Sequence, residues 1–167
     1  SLIEGVAMDY VSDLGCLTQD FVKAYPATQY PELMYKLGRP YNCLLIDSHA
    51  DYFICLPFRS HINHSNAFMF KNTQRSISNK SGIDYSKMVI IKNASYLMTG
   101  TAIVDQDEYN EAIQNLEQIV TDSLEYLEAY IKHINGSSPM HPRAFLRKYQ
   151  FTTLKYFHDL LGLTSAN

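Results

Sequence analysis

Arg59, Ser60, His61 and His64 fall within six consecutive residues, directly after the apolar run Tyr52-Phe-Ile-Cys-Leu-Pro-Phe58. A guanidinium, a hydroxyl and two imidazoles at the end of a rigid strand suit phosphodiester chemistry. Cleaving a phosphodiester needs a base to activate the attacking oxygen and an acid for the leaving oxygen. It also needs fixed donors or cations for the charge on the phosphorane. Histidine, with a reference pKa of ~6.5, serves either proton role at neutral pH. Arginine donates in a fork that matches phosphate oxygens. Ser60 can hydrogen-bond a non-bridging oxygen. Its use as a nucleophile would require a base and an orienter that the sequence does not identify.

His61 and His64 could also form half of a metal site, but no second Cys, His, Asp or Glu pair at recognisable spacing completes one, so no metal and no cofactor are expected. The chain has neither a glycine-rich phosphate loop nor a Gly-x-Ser-x-Gly elbow. Paired surface histidines are the bland alternative.

The elements that must position these residues are legible around them. Residues 41–47 and 52–58 read as an antiparallel hairpin joined by Ser48-His-Ala-Asp51. Periodic apolar residues between Tyr10 and Val22 predict a helix or helix-loop over 9–25, and residues 31–36 one or two helical turns. Ala67–Phe70, Lys87–Ile91 and Gly100–Val104 are further strand candidates. The Ser-, Asn- and Lys-rich stretch 72–86 reads as a long loop. Asp105-Gln-Asp-Glu108 has the pattern of a capping box, and Ile113, Leu116, Val120, Leu124, Leu127, Ile131 and Ile134 form one stripe of a long acidic helix over about 105–134. Its acids are expected on the outer face. Gly136-Ser-Ser-Pro139 ends it, and a last helix is expected over about 141–161. The expected fold is α+β: a small twisted antiparallel sheet or partly closed barrel surrounded by helices, in a single domain spanning 1–167. Residues 1–7, ahead of Met8, are candidates for a non-native or disordered leader.

Composition narrows the class. With 167 residues, 46% apolar and 19% charged, the chain suits one globular domain rather than a disordered one. No apolar run approaches the ~20 residues of a membrane helix, and no secretory signal is expected. Three unclustered cysteines, two of them inside strand runs, favour a reducing cytoplasm.

The net charge of −3 hides a segregation. Residues 35–104 carry eight Lys/Arg against three acids, and residues 143–167 four against one. Residues 105–142 carry eight acids against one Lys. A basic face on a net acidic protein is therefore possible. Thirteen tyrosines and eight phenylalanines could supply core, stacking platforms for unpaired bases, or both.

Tyr35-x-x-x-Arg39-Pro-Tyr, the hairpin with Ile46-Asp47, and Leu56-Pro-Phe-Arg-Ser60-His-Ile-x-His64 together resemble the toxins of bacterial type III toxin–antitoxin systems. The resemblance is to the ToxN/AbiQ group, and within it to the CptN and TenpN branches, over roughly residues 30–161. It implies a cytoplasmic, metal-independent endoribonuclease, held inactive by a cognate antitoxin RNA built of pseudoknot repeats. In the ToxN branch a Tyr, a Lys, a Thr-Ser pair and a second Lys line the active site. Tyr35 falls at the Tyr, Arg39 at the first Lys and Arg59-Ser60 at the Thr-Ser pair. The second Lys has no match, and His61 and His64 occupy that neighbourhood.

On this basis His64 is expected to transfer a proton, with His61 the weaker candidate for the second proton role. Arg59 and Ser60 are expected to bind the scissile phosphate, and Arg39 and Tyr35 to position it. The RNA surface is expected at Lys71, Arg75, Lys80, Lys87 and Lys92, and at Arg147, Lys148 and Lys155. Two such remote basic surfaces would let toxin and antitoxin RNA close into a ring. The expected partners are RNA, not DNA or a membrane. A non-catalytic RNA-binding or protein-interaction module remains the alternative.

Overall fold

A computed structural model describes residues 11–34, 36, 40–100 and 102–163, with only the backbone of 11–13. Tyr35 and Arg39 lie outside the described residues. Among the described residues seven strands form one antiparallel sheet, with five α-helices around it, which is an α+β fold.

The expected hairpin is its centre. Strand β2 (Asn42–Asp47) pairs with β3 (Phe53–Arg59), with Cys43 opposite Pro57 and Asp47 opposite Phe53. Ile46, Ile54, Cys55 and Leu56 are fully buried in this pair, because both of its faces are covered. Strand β1 (Val11–Leu17) flanks β2, and β7 (Leu97–Thr99) flanks β1. On the other side β3 meets two strands in succession: β6 (Val89–Ile91) along 53–55 and β5 (Gly82–Asp84) along 58–59. Strand β4 (Ala67–Met69) lies beyond β5. The sheet is open, with β4 and β7 at its edges, rather than a partly closed barrel.

The interruption between β5 and β6 organises the site. Tyr85–Lys87 forms a single 3₁₀ turn there, so part of β3 has no ladder partner on that edge. Pro57, which lacks an N–H, falls in this gap, where proline is tolerated within a sheet. The freed carbonyls are satisfied by side chains. Thr153 Oγ1 donates to the Met88 carbonyl and lies 3.3 Å from that of Ser86, and Tyr41 Oη donates to the Lys87 carbonyl at 2.9 Å.

Several elements differ from the sequence reading. The helix or helix-loop predicted over 9–25, whose first two residues lie outside the described ones, is a strand (Val11–Leu17) followed by a short helix α1 (Gln19–Ala24), capped by Thr18. Residues 11–17 form a bulged strand between two neighbours, in which Cys16 and Leu17 are buried, so the apolar spacing there carried no helix signal. The predicted loop 72–86 contains α2 (Gln74–Asn79), started by a Thr73/Ser76 capping box, and then β5. The strand expected at 100–104 lies earlier, at β7.

The acidic segment is helical but breaks at Asn115, giving α3 (Gln106–Gln114) and α4 (Leu116–Ile134). The break turns Ile113 out of the stripe, leaving it 44% exposed, while Leu116, Val120 and Leu127 pack into the core. Asp105 caps nothing with its side chain. The last helix, α5 (Pro142–Tyr149), is shorter than expected and gives way to a 3₁₀ turn at Thr153–Tyr156. No described helix is long and apolar enough to cross a membrane. Cys16, Cys43 and Cys55 are free and buried, and burial pushes the Cys43 thiol well above its usual pKa.

Candidate active site

Residues 81–91 are buried without exception, yet four of them, Ser81, Asp84, Ser86 and Lys87, are polar. Buried polar groups need partners, and those partners define the site. Asp84 ends β5 and is 2% exposed. Its Oδ1 accepts from the Ser86 hydroxyl at 2.6 Å and the Ser86 amide at 3.0 Å. Its Oδ2 lies 3.3 Å from His64 Nε2 and 3.4 Å from Arg59 Nε. Arg59 reaches it from the end of β3, the neighbouring strand. His64 reaches it from the loop between β3 and β4.

The imidazole is held at both nitrogens. The Asn66 amide donates to Nδ1 at 3.1 Å, which fixes the neutral ring with its proton on Nε2, directed at Asp84. Ser86 Oγ lies 3.3 Å from the same Nε2. Burial raises the Asp84 pKa, but hydrogen bonds from His64 and Ser86 and the charge of Arg59 outweigh it, so the carboxyl is held below its usual value. Asp84 is therefore a fixed anion beneath an imidazole and a guanidinium. The Arg59 pairing with Asp84 is at ion-pair distance without hydrogen-bond alignment, so its buried Nε–H is unpaired.

A second charged group adjoins the first through the same 3₁₀ turn. Lys87 is 5% exposed, and its ammonium donates to Glu32 Oε2 at 3.1 Å and to the Phe151 carbonyl at 2.7 Å. Burial pushes its pKa below the usual lysine value, in part against the Glu32 carboxylate. Lys155 approaches the other Glu32 oxygen at 3.7 Å.

Arg59 also lines a cleft of about 290 Å³, together with Ser60, Phe58, Tyr41 and Lys36. His64 does not line it, so Arg59 is the side chain shared by cleft and carboxylate cluster. The predicted pair Arg59-Ser60 thus stands at a cavity, and Arg59 and His64 converge on one anion. His61 is exposed in a left-handed turn (φ 59°), with its amide bonded to the Asn79 carbonyl, and its ring makes no hydrogen bond among the described residues.

The expected RNA-contacting cations are unequal. Lys71 and Lys80 are exposed, as is Arg147. Lys92 pairs with Asp51 at 3.0 Å. Lys148 Nζ rests 5.7 Å from the centre of the Tyr149 ring. Arg75 forms two bonds of 2.8 and 2.7 Å with Glu108. Lys87 is internal rather than on a surface.

The acids of α3 are not all on its outer face, as had been expected. Glu108 is 1% exposed on Arg75, and Glu111 accepts the amides of Lys71 and Asn72 at 2.8 and 2.9 Å. They clamp the chain between β4 and α2.

Asp84, Ser86, Asn66 and Glu32 were missed in the sequence. One signal was present: residues 35–104 hold only three acids against eight cations, and Asp84 is one of the three. Among the described residues no group of three or more His, Cys, Asp or Glu could hold a metal ion. No family model matches the chain, and no curated protein or solved structure is significantly similar to it.

Proposed function

We propose that this protein is a metal-independent endoribonuclease of the bacterial cytoplasm, the toxin of a type III system, inhibited by direct binding of a cognate pseudoknot RNA. The reading rests on the sequence resemblance, and the observation that carries it further is the convergence of His64 and Arg59 on Asp84 beside the Arg59–Ser60 cleft. Asp84 holds the His64 proton on Nε2, which leaves the Nδ1 lone pair as the base once the Asn66 amide is released. Nδ1 takes the 2′ proton, the 2′ oxygen attacks phosphorus, and the 5′ oxygen leaves with a proton from an acid. The products are a 2′,3′-cyclic phosphate and a 5′-hydroxyl. Arg59 and Ser60 donate to the phosphate oxygens, with Tyr35 and Arg39 positioning the strand, and His61 is the candidate acid.

A non-catalytic RNA-binding module is favoured by one observation: both His64 nitrogens are already bonded. The test is cleavage by RNA-free protein in excess EDTA, with chemical identification of the new ends. Cyclic phosphate ends that disappear in His64→Ala support the enzyme. A folded protein that binds RNA and cuts none, with or without metals, establishes the binding module instead.

A further inference from the structure

Phe151 presents a large aromatic ring to solvent, 59% exposed, in the turn between α5 and the last 3₁₀ stretch. An exposed phenylalanine is unremarkable alone, but its backbone is not free. Its carbonyl holds the buried Lys87 ammonium at 2.7 Å, and three residues earlier the Lys148 carbonyl accepts from Asn66 Nδ2 at 3.2 Å. Asn66 is the residue whose amide caps His64 Nδ1. Two hydrogen bonds therefore pin the end of α5 to the two sides of the Asp84 cluster, and they place the Phe151 backbone beside it.

The flanking turns are basic. Residues 143–167 carry four Lys/Arg against one acid, and Arg147 and Lys155, four residues before and after Phe151, are both exposed. The neighbouring rings Tyr149 and Phe157 are buried and take no part.

We infer that Phe151 is a stacking platform for an unpaired base of RNA threaded past His64, with Arg147 and Lys155 on the adjoining phosphates. A π-face next to fixed cations is the usual chemistry for holding single strands without reading sequence. A protein partner would be drawn to the apolarity of Leu146 and Phe151, but the surrounding positive charge fits a polyanion. The inference rests on the endoribonuclease reading and names the substrate feature used at that site: a base free of its complement.

The experiment measures binding of a short single-stranded 2′-O-methyl oligoribonucleotide, which offers no 2′-hydroxyl for attack. Native protein is compared with Phe151→Leu and Phe151→Trp, and cleavage of unmodified RNA is followed in parallel. Phe151→Leu keeps the apolar surface and should weaken binding about tenfold, while Phe151→Trp should bind as native or tighter. The same oligonucleotide annealed to its complement should bind equally to all three. Native-like binding by Phe151→Leu, with RNA cleavage intact, overturns the platform and leaves the endoribonuclease standing. Absence of RNA binding and of cleavage in the folded native protein overturns both. Retained RNA affinity in Phe151→Leu, together with loss of self-association or of a protein complex, assigns the patch to protein.

Discussion

His64 points Nε2 at the buried carboxylate of Asp84, 3.3 Å away, although one lies in the loop between β3 and β4 and the other ends β5, twenty positions apart. The carboxylate is anchored from below by the Ser86 hydroxyl and amide, so the imidazole turns toward a fixed anion rather than a mobile one. That relationship, together with the Asn66 amide on Nδ1, decides which ring nitrogen carries the proton.

Asp84→Asn puts a neutral amide where the anion was, so nothing opposite Nε2 stabilises the imidazolium that forms when Nδ1 takes a proton. RNA cleavage should fall on the order of 10²-fold, with binding of a non-cleavable RNA changed only a few-fold. Unchanged turnover in folded Asp84→Asn protein would remove the pair from the mechanism.

Stability should carry the mark of the same carboxylate in acid. The folded-state pKa of Asp84 lies below the ordinary 3.8. Its contribution is thus full above that pH and is lost as the pH falls through the lower folded-state value. Thermal midpoints of the native protein should drop more steeply below pH 3.8 than those of Asp84→Asn. Parallel curves would show that the carboxylate is not linked to folding.

Glu111→Ala leaves the amides of Lys71 and Asn72 without their acceptors. A loss of about 1–3 kcal/mol in urea unfolding is expected. Glu117→Ala, on the exposed side of α4, should stay within about 0.5 kcal/mol. Equal effects would return the α3 acids to a solvating role.

Gly82 has no room for a side chain, because a Cβ there would collide with the Phe68 carbonyl oxygen across the β4–β5 pair. Gly82→Ala should cost about 3 kcal/mol or more, since backbone rather than a flexible side chain must yield. Because β5 carries Asp84, the surviving folded fraction should also cleave RNA poorly. A native melting curve would show that β4 moves aside without penalty.

The central hairpin was legible from sequence because its two runs are apolar throughout and are bounded by polar turn residues, and burial on both faces demands that composition. Arg59 and Ser60 could be placed at the end of its second strand for the same reason. The acidic helix was legible by period, but its break was not. Asn115 ends α3 while the apolar stripe runs through it, so periodicity alone sees one helix. The strand at 11–17 was misread because three- and four-residue spacing also arises in a bulged strand paired on both sides.

What the sequence by itself determined is the α+β composition, the hairpin, the reduced cysteines and the cluster of candidate groups at 59–64. Only the tertiary structure selected among them. It brought Asp84 from a separate strand beneath Arg59 and His64, and left His61 in solvent. It also buried Lys87 on Glu32, and turned Glu108 and Glu111 inward. The physical reason is that strand pairing joins residues far apart in the chain. The partner that orients a titratable group is chosen by sheet register and burial, neither of which is written in local spacing.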